Sequence, residues 1–312
     1  MKPTRARPLI VLTMLAAGLA AVPTAQAPSD HRPKFRSSVD VVTIQASVKT
    51  PRGRPLTGLS VTDFEVRDNG RPRPILSLRS DSRSPVSVAI LIDSSGSMAS
   101  ANRLPLAWRA FDAVLSQLRP GEDEAAVFSF DSALREHRAF TSKLENLRSA
   151  LDELSVFGST SLYDAAAAAA RRLAEQSAAH KAIVVLTDGV DTSSSLTAPE
   201  VSGLASSIGV PVYVIATVSA VDQRAMVESA TRTPTSESAD LRNLAQHSGG
   251  SLLFASDAME ASKAAASVIG ELRHQYVLAV EAAAAGGEWR RLDVRVKRSS
   301  AIVRARSGYY GG

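Results

Sequence analysis

The strongest constraint on this chain's fold is a rhythm running from residue 85 to residue 273. Apolar runs of strand length alternate there with stretches of helical spacing. Val86–Ile92 precedes Leu104–Leu118, and Ala125–Phe130 with a short edge strand at Leu134–Phe140 precedes Leu144–Leu154 and Leu162–Ala179. Ile183–Leu186, Val212–Ala216 and Leu252–Phe254 are the next strands. Their helices open at the capping boxes Thr197-x-x-Glu200 and Asp257-x-x-Glu260, with Leu241–His247 between, and Gly209 and Gly249-Gly250 supply stops. Strands that are apolar throughout need cover on both faces. The pattern therefore predicts an α/β fold, a doubly wound and mostly parallel sheet between two helical layers.

Both ends of the chain read differently. Val39–Val48 alternates and is rich in β-branched residues, and Phe64–Arg67 runs into Asp68-Asn69-Gly70, a hairpin turn. Ile75–Leu78 is the expected return strand. Beyond Arg273 come short strands at Tyr276–Val280, Leu292–Val296 and Ile302–Ala305, the first two joined across the Ala/Gly-rich stretch 282–287. Neither flank is large enough to build its own core. The economical solution is one small β-sandwich made from 28–84 and 274–312, with the α/β block 85–273 inserted between them. Trp289, Tyr309 and Tyr310 are then core or interface aromatics.

The charge divides along the same lines. Residues 28–84 carry 11 Lys/Arg against 6 Asp/Glu, residues 274–312 carry 7 against 3, and residues 85–273 carry 15 against 22. The basic balance thus belongs to the flanks. An acidic body argues against nucleic acid, and so does an aromatic content of 5%. A basic module beside an acidic one fits two touching domains, and equally fits plain solvated surface.

Residues 1–27 read as an export signal. Lys2, Arg5 and Arg7 form a basic start, Leu9–Val22 is a 14-residue apolar run, and Ala25-Gln26-Ala27 is a small-residue cleavage pattern. Fourteen apolar residues fall short of the ~20 that span a bilayer. An uncleaved anchor is the alternative, since Pro28 directly after the cut impairs cleavage. Either way the expectation is a secreted or periplasmic protein with no membrane span in the mature chain. Cysteine is absent, which removes disulfides, thiolate metal sites and cysteine nucleophiles. The five histidines are scattered without an HxxxH pair, so a histidine zinc site is not expected.

Chemistry concentrates at three loops. The strand Val86–Ile92 delivers Asp93-Ser94-Ser95-Gly96-Ser97, a DxSxS pattern whose alternate side chains can face one point. Carboxylate and hydroxyl oxygens suit a hard cation such as Mg²⁺, Mn²⁺ or Ca²⁺. Taken alone, the same turn would serve to cap the following helix. Val184–Leu186 leads into Thr187-Asp188-Gly189, and Gly158–Asp164 is a hydroxyl-rich loop before a helix. In a parallel sheet these strand ends share one edge, where ligands bind. Asp93, Ser95, Ser97, Thr160 and Asp188 can then converge on one cation. Asp164 reads as fixing its loop by hydrogen bonds. Asp191 is either a tuner of the site's edge or a solvent-facing carboxylate, and Asp131 is similarly open. The stretch 219–239 is long for a connection and leaves the same edge; it is a partner-selecting element or a disordered insert.

This set of DxSxS, G-S-T-x-L-Y-D-A and T-D-G motifs resembles the von Willebrand factor type A domain with its metal-ion-dependent adhesion site. The flanks, with Val66–Gly70 and the tail Arg304–Tyr310, are similar to those of bacterial secreted proteins of that family. The resemblance implies a Rossmann-like domain over roughly 85–273 and one divalent ion, Mg²⁺ foremost, at Asp93, Ser95, Ser97, Thr160 and Asp188. It also implies a protein partner that offers an Asp or Glu to that ion. The chain then reads as an exported, metal-dependent interaction module and not an enzyme. The alternatives are a metal-dependent hydrolase, or a structural domain that keeps the motif without function. For the hydrolase, no G-x-S-x-G elbow or P-loop is present, and no histidine falls in the three loops.

Overall fold

Alternate residues of one central strand go to opposite helical layers, and this organises the computed structural model. It describes residues 41–310 except 81, 101, 153, 190, 233–236, 283–287 and 299. The expected export segment 1–27 lies outside the described residues.

Four strands come first: β1 (Val41–Lys49), β2 (Phe64–Asp68), β3 (Arg71–Arg73) and β4 (Ile75–Ser80). The α/β part follows with β5 (Val86–Asp93), α1 (Arg103–Gln117), β6 (Glu124–Phe130), β7 (Leu134–Thr141), α2 (Leu162–Ala174) and β8 (His180–Thr187). It continues with α3 (Ala198–Ile208), β9 (Val212–Thr217), α4 (Ala220–Arg232), α5 (Glu237–Ser248), β10 (Leu252–Ala255) and α6 (Ala258–Arg273). The chain closes with β11 (Tyr276–Glu281), β12 (Trp289–Val296), β13 (Ile302–Ala305) and β14 (Gly308–Tyr310).

The central sheet has the order β10-β9-β8-β5-β6-β7, parallel except for the antiparallel edge strand β7. Val88, Ile90 and Ile92 of β5 pack with α1 and α6, while Ala89 and Leu91 pack with α2, α3 and α5. This is the doubly wound arrangement expected from the apolar strands. From β5 the chain moves outward to β6, and β8 returns to the other side of β5. The strand order thus reverses between β5 and β8, and in open α/β sheets ligands bind at the C-terminal strand ends of such a reversal.

The two flanks interleave. One sheet has the order β13-β1-β11-β4 and the other β14-β12-β2-β3, so each combines strands from both ends of the chain. Ile44, Val48, Phe64 and Val66 share one core with Tyr276, Leu278, Val280 and Leu292. A small β-sandwich from N- and C-terminal segments is what the short, basic flanks implied.

Some local expectations are corrected. Asn69 and Gly70 both have left-handed backbone (φ 47° and 78°), as a two-residue hairpin turn requires. The strand returning from that turn is β3, however, not Ile75–Leu78. Pro74 interrupts the hairpin, and β4 crosses to the other sheet to pair with β11. The stretch 144–151 is a 3-10 helix, and α2 stops at Ala174, short of Ala179. The segment 219–239 contains α4. Tyr309 is a core residue, and Trp289 and Tyr310, partly exposed, form an edge-to-face pair beside α3, as the core-or-interface expectation allows.

Candidate metal site

β5 ends at Asp93, and its neighbour β8 ends at Thr187, so Asp93 and Asp188 leave adjacent parallel strands at the reversal of strand order. After Asp93 the chain turns through one turn of 3-10 helix, Gly96–Ala99, with Ser95 at its N-cap. The Asp93 carboxylate folds back on this turn. It accepts the Ser95 backbone N–H at 2.9 Å and the Thr187 hydroxyl at 2.5 Å. The Ser95 and Ser97 hydroxyls share a hydrogen bond at 3.0 Å. Ser95 is buried and Ser97 exposed, so the motif runs from the sheet edge out to solvent.

The second loop is tied to the first through backbone. Gly96 donates to the Gly158 carbonyl (3.1 Å), and Phe157 donates to the Ser94 carbonyl (2.9 Å). Thr160 follows, buried, with its N–H donated to Thr192 Oγ1 and its carbonyl accepting the N–H groups of Thr192 and Ser193. The structure thus links Asp93, Ser95 and Ser97 directly and brings Thr160 to them on its loop.

Asp188 is nearly buried, and its two oxygens differ. Oδ2 accepts Arg103 Nη1 at 2.7 Å, whereas Oδ1 is buried without a partner. Burial pushes the Asp93 carboxyl up to about 6; hydrogen bonds from Ser95 and Thr187 oppose the shift, and the nearby Asp188 charge adds to it. Two carboxylates close together in a desolvated setting, one with an orphan oxygen beyond its Arg103 contact, favour further positive charge. Among the described residues no group of three or more His, Cys, Asp or Glu could hold a metal. The donors beside the two aspartates are hydroxyls, a set that fits a hard divalent cation and not a soft one.

The neighbouring carboxylates have other work. Asp164 accepts the N–H groups of Ser195 and Leu196, which fixes its loop as expected. Asp191 does not stand in solvent: it accepts the Tyr163 N–H and the Ser194 N–H and hydroxyl, and so caps the start of α2. Asp131 is held by Ala133 N–H, Ser132 and Arg135, whose guanidinium keeps its carboxyl below the usual range against the effect of burial. Two contributors were not foreseen. The sequence marks Thr187 only as part of its motif, and Arg103 lies six residues past Ser97 in a stretch with no pattern of its own. His137 Nε2 lies 2.7 Å from Ser129 Oγ, but Ser129 is buried inside β6 and closed to substrate.

Residues 88–198 match the family model of the von Willebrand factor type A domain. Over that stretch the chain is similar to von Willebrand factor type A domains. No curated protein matches the sequence. Among solved structures, an aerotolerance-related membrane protein from Bacteroides fragilis is 21% identical, with 59% of this chain and 98% of that one covered (TM-score 0.47). A von Willebrand factor type A protein from Catenulispora acidiphila is 15% identical over 78% of this chain and 71% of its own (TM-score 0.48). Proximal thread matrix protein 1 from the mussel byssus, described with a zinc-occupied adhesion motif, is 17% identical over 65% and 50% (TM-score 0.48).

Proposed function

We propose that the chain is an exported, divalent-metal-dependent protein-binding module. Asp93, Ser95, Ser97, Thr160 and Asp188 would hold the ion, most readily Mg²⁺, with Mn²⁺ or Ca²⁺ able to substitute. The observation that carries this reading is the meeting of loops at the C-terminal ends of β5 and β8. There a hydroxyl-bearing turn, a buried Asp93 and the orphan oxygen of Asp188 meet at the reversal of strand order. When bound, the ion would supply an electrophilic position that an Asp or Glu of a partner protein can fill. Ser95 and Ser97 contribute neutral oxygens, which leave positive charge unspent, and the exposed Ser97 marks the side from which a partner approaches. Binding is favoured over hydrolysis because no imidazole in the three motif loops stands ready to activate Ser95 or Ser97.

The basic start and apolar run of residues 1–27 support export, with the mature chain beginning near residue 28. Among the described residues no helix is long and apolar enough to cross a membrane.

Calorimetric titration with Mg²⁺ tests the site. Uptake of one ion by the wild type, lost in Asp93→Ala, is the expected result. No uptake of Mg²⁺, Mn²⁺ or Ca²⁺ at millimolar concentration would reject an independently formed site. Crosslinking capture with Mg²⁺ and with chelator then tests the binding role. A partner retained equally in both, and equally by Ser95→Ala, would place recognition on another surface.

A further inference from the structure

Arg103, the first residue of α1, reaches over the candidate metal site. Its Nη1 donates to Asp188 Oδ2 at 2.7 Å, and the same atom lies 3.4 Å from the Ser97 carbonyl. Its Nη2 stands 3.7 Å from Asp222 in the first turn of α4, a carboxylate that also accepts the Ser219 hydroxyl. The Arg103 side chain is less than a quarter exposed. The same helix α4 touches the Asp188 loop a second time. A Cβ on Gly189 would lie 2.8 Å from the Met226 methyl and 3.3 Å from Leu241, so the backbone beside Asp188 is packed directly under α4 and α5. The left-handed φ of 100° at Gly189 is part of that close approach.

Resting on the metal-binding reading above, we propose that Arg103 is a resident competitor for Asp188. It sets the affinity of the site for its divalent ion and ties that affinity to α4 through Asp222. A fixed positive charge beside the coordinating carboxylate opposes a second cation and takes one of the carboxylate's two oxygens. It also leaves the mouth of the site more positive, which suits an acidic ligand. Asp222 draws the guanidinium toward α4, away from Asp188. The long connection between β9 and α5 therefore acts on the site through one side chain.

The test is Mg²⁺ titration of the full chain by calorimetry, with thermal melting in chelator as a readout that needs no ion. Arg103→Gln is expected to bind Mg²⁺ about tenfold more tightly than wild type, the lower end of coupling between close charges. It is also expected to melt below wild type in chelator, because Asp93 and Asp188 lose their cation, and to close that gap in saturating Mg²⁺. Arg103→Lys keeps the charge and should stay near wild type. Asp222→Asn sits at the exposed end of the bridge and does not threaten folding; it should weaken Mg²⁺ binding by leaving Arg103 to Asp188. Equal or weaker affinity in Arg103→Gln overturns the competition while the metal site stands, and unchanged affinity in Asp222→Asn overturns the link to α4. Uptake of no divalent ion by wild type or by any variant would overturn the metal reading itself, and this inference with it.

Discussion

At the level of single residues two buried carboxylates close the ends of β5. At its N-terminal end Asp123 is fully buried and accepts from the Val86 N–H, the Arg119 N–H and side chain, and Arg273 at the end of α6. Burial raises its pKa, but these donors outweigh burial and hold it below the usual carboxylate value. A depressed folded pKa stabilises the fold above the unfolded value and is lost as pH falls through the folded one. Asp123→Asn is therefore expected to lower stability at pH 7 by about 2–3 kcal/mol. It should also flatten the fall in denaturation midpoint below about pH 4, which urea titrations across pH will read. At the other end Asp93 has the opposite environment, desolvated beside a like charge. Asp93→Ala should melt at one temperature with Mg²⁺ or chelator, whereas the wild type gains about 2.7 kcal/mol at a hundredfold excess of ion over its dissociation constant. A metal-dependent shift that survives in the mutant would place the ion elsewhere.

Between elements the joint that matters most is α6 against the sandwich. Glu271 is buried there with Lys49 of β1 and Arg304 of β13 as ion-pair partners, and it accepts from Ser47 and from Tyr213 of β9. Burial and the Glu271 charge push the Tyr213 phenol well above its ordinary pKa, so it stays a donor. Glu271→Gln removes the one anion this cluster of donors shares and leaves Lys49 buried without its counter-charge. A loss of about 3–5 kcal/mol is expected, read by chemical denaturation. None of this was visible in the sequence, because Glu271 sits in an amphipathic helix where a charge is unremarkable and its partners lie 33 to 224 residues away. What could be read were local signals: the capping box at Thr197, the cap at Asp257, the Asn69-Gly70 turn and the three motif loops. The turn was legible but its return strand was not, since Pro74 diverts β4 to a sheet whose other strands are far off in sequence. Arg103 escaped for the same reason: its meaning comes from Asp188 and Asp222, which only the fold brings near.

Over the whole molecule the chain has to close a loop of more than two hundred residues before either flank has a core. β1 pairs with β11 from Val41↔Glu281 to Ala46↔Tyr276, β4 also pairs with β11, and β2 pairs with β12. Composition foretold this closure, because two short basic β segments can bury enough apolar surface only together. The energetic consequence is asymmetric. The central sheet takes its strands from 86–255 alone, while each sandwich sheet has strands from both ends. A chain ending at Arg273 lacks β11 and β12, so β1 and β4 lose their shared neighbour and Phe64 and Val66 lose Tyr276 and Leu292. Hydrogen exchange should then show residues 41–80 unprotected at every amide, with β5, β6 and β8 still protected at the level of their own sheet. Loop closure at this separation is slow as well as entropically expensive. In the full-length chain, protection of β1 and β11 should accordingly appear together during refolding, and later than that of β5. Protected β1 amides in the truncated chain would show that the N-terminal flank folds by itself and that the shared core is not what holds it.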